Sequence, residues 1–144
     1  MAIRAFSHVG VCVSDLDRSL AFYRDGLGFR EAKRFDVAGE AAETLLALPD
    51  LDLRVVLLER DGVRLELLRY DVPGHRGSGE PRPMNALGIS HLSLRVDDVD
   101  AAAQALERAG GRVLRATRTD GAVFVTDPDG TRIELVAGAH SGGA

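Results

Sequence analysis

Several kinds of residue are scarce in this sequence. Tryptophan is absent, and the 144 residues contain five Phe, two Tyr and a single cysteine. One cysteine excludes an internal disulfide and a cluster of thiolate metal ligands. With so few aromatic residues, the core must be built mainly from aliphatic side chains, which the 45% content of hydrophobic residues can supply.

Charge of one sign and long apolar runs are also lacking. The net charge of −4 is spread along the chain, so no basic stripe is available to neutralise nucleic-acid phosphates. No apolar run approaches the roughly 18 to 20 residues of a membrane helix, and the N-terminal residues lack an export pattern. We therefore expect a cytoplasmic protein that binds neither nucleic acid nor membranes. Cys12 lies in an apolar stretch and is expected to be a buried thiol.

Two stretches of the chain repeat each other. Residues 6–17 read FSHVGVCVSDLD, and residues 89–100 read ISHLSLRVDDVD, 83 positions further along. Residues 61–67 (DGVRLEL) match residues 129–135 (DGTRIEL), 68 positions further along. Each copy therefore begins with a strand that carries a histidine and ends with a strand that carries a glutamate. The two offsets, 83 and 68, imply 15 extra residues in the first copy, most naturally within residues 31–53.

Each copy predicts the element order βαβββ. Alternating apolar residues indicate an opening strand with one buried face. Ser14 with Asp17, and Asp97 with Asp100, have the spacing of helix N-cap and N3 residues. The helices that follow should end near Gly26 and at the glycine pair of the second copy, since glycine favours helix ends.

The remaining elements follow from turn residues. Three strands are predicted in the second copy, at 112–118, 121–126 and 131–137, with a Pro-Asp-Gly turn before the last one. A stretch rich in Gly, Pro and charge predicts a linker between the copies. The expected organisation is a first module at 1–73, a linker at 74–86, a second module at 87–138 and a flexible tail at 139–144.

Strand alternation places the repeated polar residues on the faces opposite the helices. Side chains alternate across a strand, and the apolar neighbours of the four residues must face the helices. If two such sheets curl toward each other, one His and one Glu from each copy converge in a cleft. An isolated His or Glu on a half-exposed strand is usually only hydrogen-bonded or solvated. Repetition in both copies favours a functional interpretation, with neutral retention of the ancestral repeat as the alternative.

These motifs resemble those of the vicinal oxygen chelate superfamily, which includes glyoxalase I, methylmalonyl-CoA epimerase, extradiol dioxygenases, and fosfomycin and bleomycin resistance proteins. The resemblance covers about residues 4–137. It is carried by SHVGVCVSDLDRSLAFYRDGLGF at 7–29, RLELL at 64–68, ISHLSLRVDDVDAAAQALERAGG at 89–111 and DPDGTRIEL at 127–135. It implies an α+β fold in which two βαβββ modules form an open, cup-shaped mixed sheet around a metal cleft.

The resemblance also implies a ligand set. By matching motif positions, the metal ligands are His8, Glu66, His91 and Glu134. Two imidazoles and two carboxylates suit one divalent ion such as Ni, Co, Mn, Fe or Zn. The His/Glu/His/Glu order is similar to that of the glyoxalase I and epimerase branch.

The chain departs from the pattern of relatives that use glutathione. Those relatives carry Arg four residues after the first ligand and Asn four residues after the second, where this chain has Cys12 and Tyr70. An arginine, Arg95, stands at the position related to Cys12 by the repeat. One exchange of that kind does not restore a glutathione site, so the resemblance argues against a glutathione substrate.

The implied activity is isomerisation, epimerisation or a lyase reaction of a small carbonyl substrate, through a metal-stabilised enolate. Glu134 is the expected base, and Glu66 is the expected second acid/base. One alternative is an extradiol-type dioxygenase, in which two His and one Glu hold iron or manganese. Another is a non-catalytic binding or resistance protein that sequesters a hydrophobic small molecule. A homodimer is expected, with the cleft within one chain or across two.

Other polar residues are expected to have structural roles or to face solvent. Glu40 and Glu43, in the extra segment, are predicted on a short solvated helix rather than as additional bases. Arg69 and Arg95 are expected in surface charge pairs, although a substrate carboxylate or phosphate is an alternative partner for them and for Tyr70. Two further histidines are expected to be exposed, in the linker and in the tail: His75 and His140.

Overall fold

The computed structural model describes residues 2–138 and divides the chain into two units. The first unit contains the chain up to Arg24 together with Gly28–Arg76, and the second contains Asp25–Leu27 and the chain from Gly77 onward. Each unit is built on one four-stranded mixed sheet. The α+β fold is therefore confirmed. Within the described residues, no helix is long and apolar enough to cross a membrane.

The first unit contains four strands and two α-helices. In chain order they are β1 (Val9–Cys12), α1 (Leu16–Leu20), β2 (Arg30–Ala38), α2 (Glu40–Leu46), β3 (Asp52–Arg60) and β4 (Val63–Val72). A π-helical turn (Ala21–Gly26) follows α1, and its last two residues belong to the second unit. The strand order in the sheet is β1-β4-β3-β2. Strand β1 is parallel to β4, and the other pairs are antiparallel.

The second unit repeats this topology. Its elements are β5 (Leu92–Val96), α3 (Val99–Arg108), β6 (Arg112–Leu114), a 3₁₀ turn (Arg115–Thr117), β7 (Ala122–Thr126) and β8 (Arg132–Ala137). The strand order β5-β8-β7-β6 is the same as in the first sheet. The predicted order βαβββ is confirmed, and the first unit adds α2 within the segment 31–53, where the extra residues were predicted.

Helices α1 and α3 begin one residue later than predicted. Their N-caps are Asp15 and Asp98, not Ser14 and Asp97. Each aspartate accepts a hydrogen bond from the backbone N–H three residues later, at 3.0 Å in α1 and 2.9 Å in α3. A carboxylate satisfies an unpaired N–H and also interacts favourably with the positive end of the helix. The two caps occupy equivalent positions of the repeat.

One predicted strand ends earlier than expected, and the first helix changes its type before its predicted end. The strand predicted at 112–118 stops at Leu114, because the Thr117 hydroxyl donates to the Leu114 carbonyl (2.7 Å) and accepts from the Phe124 N–H (2.9 Å). The first helix is α-helical to Leu20 and continues as a π-helical turn to Gly26, so its predicted end near Gly26 is confirmed. The wider turn allows the consecutive residues Phe22 and Tyr23 to be buried together, with ring centroids 5.1 Å apart.

The predicted faces of the closing strands are confirmed. Leu65 and Leu67, on either side of Glu66, are fully buried, and so is Ile133 beside Glu134. The glutamates themselves are only partly buried and lie on the opposite faces. Cys12 also lies on the open face and is exposed, so the expectation of a buried thiol is wrong. Strand alternation, rather than the polarity of neighbouring residues, decides the exposure of its side chain.

The glycine-rich segment predicted as a linker packs on the second unit. Glu80 forms an ion pair with Arg112 (3.1 Å), and the Arg132 guanidinium donates to the Arg82 carbonyl (3.1 Å). A β-carbon at Gly130 would collide with the Gly79 carbonyl, so this approach requires glycine. The limits proposed for the linker and for the two modules stay a prediction.

Candidate metal-binding and active site

On the open face of the first sheet, His8 contacts Glu66. The parallel pairing of β1 with β4 places Gly10 opposite Glu66, and His8 lies two residues before Gly10 on the same face. The Nε2 atom of His8 is 3.2 Å from Oε2 of Glu66. Gly10 has no side chain that could stand between them.

This separation fits two ligands of one metal ion. Ligand atoms that lie about 2.1 Å from an ion and at right angles to each other are about 3.0 Å apart. The observed distance between Nε2 and Oε2 is close to that value. The side chains of His8 and Glu66 are 39% and 20% exposed, so the pair can be reached from solvent. Both the donor atoms and their spacing are therefore compatible with a divalent ion.

A serine holds the Nδ1 atom of each repeated histidine. Ser7 Oγ is 2.8 Å from Nδ1 of His8, and Ser90 Oγ is 2.7 Å from Nδ1 of His91. A hydroxyl can donate or accept, and when it accepts from Nδ1–H the Nε2 lone pair is available to a metal. No role was expected for these serines from the sequence, although the repeated Ser-His dipeptide was the signal.

The second sheet places His91 and Glu134 on one face without an ion pair between them in the described part of the chain. The pairing of β5 with β8 puts Ser93 opposite Glu134, which is the position of Gly10 in the first sheet. The Ser93 hydroxyl donates to Oε1 of Glu134 at 2.8 Å. His91 packs edge-on against Phe124, with ring centroids 5.4 Å apart. Neither Ser93 nor Phe124 was expected at the site from the sequence.

Each unit thus contributes one His and one Glu. Among residues 2–138, no three His, Cys, Asp or Glu side chains are gathered within reach of a single metal ion. The structure brings His8 and Glu66 into contact and presents His91 and Glu134 on one face of the second sheet. A single centre with all four ligands stays a prediction.

Beside His8 and Glu66, the first sheet becomes apolar. We call this region the α2 cluster, and its members are Leu51, Leu53, Val55, Phe35, Val37, Ala42, Leu46, Leu48, Leu68 and Tyr70. Burial raises the pKa of Tyr70, and the nearby charges of Cys12 and Glu66 raise it further. Tyr70 is therefore a neutral phenol at physiological pH. Extra residues were predicted within 31–53, but their packing into this cluster was not predicted.

The other residues considered from the sequence have varied environments. Helix α2 carries Glu40 and Glu43 as predicted, and the Glu43 carboxylate accepts from the Leu51 N–H at 3.3 Å. Arg69 pairs with Asp71 at 3.2 Å, which confirms the predicted charge pair. Arg95 lies on β5 and is exposed, and its expected charge pair stays a prediction. His75 is exposed, as predicted. His140 and the predicted tail lie outside the described residues.

Residues 5–135 match the family model of the Glyoxalase/Bleomycin resistance protein/Dioxygenase superfamily. The match spans most of the chain and includes the four expected ligands, His8, Glu66, His91 and Glu134. The protein therefore belongs to this superfamily, as the sequence motifs indicated.

Individual relatives include enzymes of two kinds. The chain is 32% identical over 140 residues to a lactoylglutathione lyase of Neisseria meningitidis, covering 90% of this chain and 87% of the relative. It is 33% identical over 147 residues to a 2-epi-5-epi-valiolone epimerase of Actinomyces sp, covering 92% and 78%. A glyoxalase family protein from Bacillus cereus has the same fold, with a TM-score of 0.80, 21% identity and 95% coverage of both chains. These similarities support an enzyme of the glyoxalase superfamily.

Proposed function

We propose that the protein is a metal-dependent isomerase, epimerase or lyase that moves a proton at the carbon beside a carbonyl group of a small substrate. The main support is the contact between His8 and Glu66, whose spacing fits two ligands of one ion. The equivalent pair in the second unit, His91 and Glu134, completes the proposed ligand set. The two pairs come together within one chain or across a homodimer, and the site operates in the cytoplasm.

A divalent ion such as Ni, Co, Mn, Fe or Zn would supply Lewis acidity toward the substrate carbonyl. Each ligand histidine is oriented by a hydrogen bond between its Nδ1 atom and a serine, and in the tautomer in which Nδ1–H donates to that serine its Nε2 atom would hold the ion.

Glu134 is the proposed base. Ser93 donates to its Oε1 atom, so the carboxylate is oriented and Oε2 can take the proton of the acidic carbon. Removal of that proton produces an enolate of the substrate. Glu66, from the first sheet, is the second acid/base: it takes a proton from solvent and delivers it to the enolate, while Glu134 releases the abstracted proton to solvent. Epimerisation, isomerisation and elimination differ only in where the proton returns or which bond breaks next.

Deuterium exchange tests this proposal. Metal-loaded protein is incubated in D₂O with small α-hydroxy and α-oxo carbonyl compounds, and NMR follows the signal of the acidic carbon. We expect exchange in the wild type and a loss of about 10² to 10⁴-fold in Glu134→Gln, which removes the base. Glu107→Gln, at an exposed α3 position where the carboxylate pairs with Arg115, is the control and should exchange normally. Exchange at the wild-type rate in Glu134→Gln would exclude this base.

An extradiol-type dioxygenase is the second candidate. Two histidines and one carboxylate are the set found in non-haem iron oxygenases, and His8 and Glu66, which are in contact, would form that set together with His91. Oxygen uptake with a catechol by iron-loaded protein would favour this activity. Tight binding of a hydrophobic compound by metal-free protein would instead favour the binding or resistance alternative.

A further inference from the structure

The α2 cluster begins directly beside Glu66. On β4, Glu66, Leu68 and Tyr70 share one face, since side chains on a strand alternate. Strand β3 pairs Val55 with Leu68 and Leu53 with Tyr70, and both β3 residues are buried. Two residues along a strand span roughly 7 Å. An apolar surface therefore begins roughly that distance from the proposed metal ligand.

Helix α2 covers this part of the sheet. Ala42 and Leu46 pack against the cluster, whereas the neighbouring Leu45 points outward and is 83% exposed. The Glu43 carboxylate ties the helix to the backbone of Leu51. Leu68 and Tyr70 remain only partly buried, at the border between the cluster and Glu66. These two residues are placed to contact a molecule bound at His8 and Glu66.

The first sheet has little to offer an anionic group. Every arginine on β2, β3 and β4 forms an ion pair with a carboxylate of the same unit, namely Arg30, Arg34, Arg54, Arg60, Arg64 and Arg69. Lys33 lies over the Phe35 ring, 5.2 Å from its centroid. A substrate group on the α2 cluster is therefore expected to be uncharged and apolar.

We infer that the α2 cluster is a specificity subsite for an uncharged alkyl or aryl group attached next to the two oxygens that the metal centre binds. This inference rests on the proposed function, because the metal centre positions the oxygens. Leu68 and Tyr70 form the contact surface, and α2 supports it from behind. The substrate class is thus an α-oxygenated carbonyl compound with an apolar side chain, rather than a peptide thiol conjugate with charged ends.

Alkyl hydroxamates test the inference, because each presents two adjacent oxygens and a chain of chosen length. Acetohydroxamate, butanohydroxamate and hexanohydroxamate are titrated calorimetrically into Co²⁺-loaded protein. We expect the affinity to rise roughly threefold for each added CH₂ in the wild type, as apolar surface is buried. Tyr70→Phe should keep this dependence, while Tyr70→Ser and Leu46→Ser should lose most of it. Leu45→Ser, on the exposed side of the same helix, is the matched control and should behave like the wild type.

The outcomes separate the inference from the function on which it rests. If acetohydroxamate fails to bind the loaded wild type, the metal centre and the subsite are both excluded. If all three compounds bind equally, the metal centre stands and the subsite is excluded. An unchanged length dependence in both Tyr70→Ser and Leu46→Ser would also overturn it. Binding of acetohydroxamate by each variant shows that the variant is folded.

Tyrosine absorption gives a second readout. The chain has no tryptophan and two tyrosines, of which Tyr23 is fully buried in the core. Hexanohydroxamate should therefore perturb the near-ultraviolet tyrosine spectrum of the wild type but not that of Tyr70→Phe. An equal perturbation in both proteins would place the alkyl chain elsewhere and contradict the inference.

Discussion

The two sheets carry the same two residue types at equivalent register positions, but the two carboxylates have different partners. In the first sheet, Gly10 lies opposite Glu66, and His8 contacts that carboxylate directly. In the second sheet, Ser93 takes the place of glycine and donates to Glu134. The carboxylate is therefore in contact with a histidine in the first sheet and with a serine in the second.

The residues around the two glutamates also differ between the sheets. The residue paired with the glutamate on the adjacent antiparallel strand is Leu57 in the first sheet and Phe124 in the second. In the first sheet, helix α2 covers part of the face that carries Glu66. In the second sheet, the Arg132 guanidinium lies 5.5 Å from the centroid of the Phe124 ring. In our account the first sheet binds the apolar part of the substrate, and the second holds the base that removes a proton.

The largest expected effect separates the roles of the two glutamates. Glu66→Gln, reloaded with metal, should retain deuterium exchange into one stereoisomer but lose inversion by about 10² to 10⁴-fold, because only the second proton transfer is blocked. Glu134→Gln should lose both. NMR exchange and chiral analysis of the product measure the two rates on the same sample. Equal loss of exchange in the two variants would remove the proposed difference between the sheets.

The cores of the two units should respond alike. Leu65 and Ile133 occupy equivalent positions of the repeat, and both are fully buried. Truncation of either to alanine should lower the free energy of unfolding by about 2 to 5 kcal/mol, because it removes apolar contacts and leaves a cavity. Urea denaturation measures the loss, and Val63→Ala, at an exposed strand position, is the control. A loss below about 1 kcal/mol at one position would show that its unit has a looser core.

Gly10 and Ser93 lie opposite Glu66 and Glu134, and replacing each with the residue type of the other should affect metal affinity differently. A serine at position 10 would donate to Glu66, so Gly10→Ser should weaken metal affinity by about 10 to 100-fold, a typical effect of changes beside metal ligands. Its β-carbon would lie 3.2 Å from Cδ1 of Leu68, the end of a side chain that can shift. Ser93→Gly should leave metal affinity unchanged or stronger. Calorimetric metal titration ranks the two variants, and the reverse ranking would contradict the account.

The smallest effect concerns one pair of a carboxylate with an arginine in each unit. The hydrogen bond from Arg34 lowers the pKa of Glu31, and the hydrogen bond from Arg118 lowers the pKa of Asp100. A carboxylate with a lowered pKa in the folded state stabilises the protein at neutral pH, and this contribution is lost as the pH falls through the folded-state pKa. Glu31→Gln should therefore flatten the acid side of the stability curve slightly, by less than about 1 kcal/mol because the pair is largely exposed. Unchanged acid unfolding would show that the pair contributes nothing.

Much of the fold could be predicted because the two copies of the repeat share one element order. The matches at Asp61–Gly62 and at the Pro-Asp-Gly turn defined the closing hairpins, and strand alternation correctly gave the faces of Glu66 and Glu134. Position-specific details were harder to predict. The choice of Asp15 over Ser14 as N-cap depends on its extended backbone and on the hydrogen bond that its carboxylate accepts from the Arg18 N–H, and the early end of β6 depends on hydrogen bonds made by Thr117.

The candidate site was predictable in its residues but not in its contacts. Repetition singled out the four expected ligands, since it marks positions that both copies retained. The hydrogen bond from Ser93 to Glu134 occurs where the two copies differ, so repetition could not reveal it. The α2 cluster lies in an insertion present in one copy only, and its packing depends on tertiary contacts. Features shared by the copies were therefore accessible from sequence, and features that distinguish them required coordinates.

Metal stoichiometry tests the central claim most directly. Protein purified without chelator, stripped and titrated with Co²⁺ or Ni²⁺, should bind one ion per complete set of ligands, that is, one per chain. His8→Ala and His91→Ala, which alter different units, should each weaken that single binding event strongly. Two ions per chain, or wild-type affinity in His91→Ala, would show that the two His and Glu pairs do not share one metal centre.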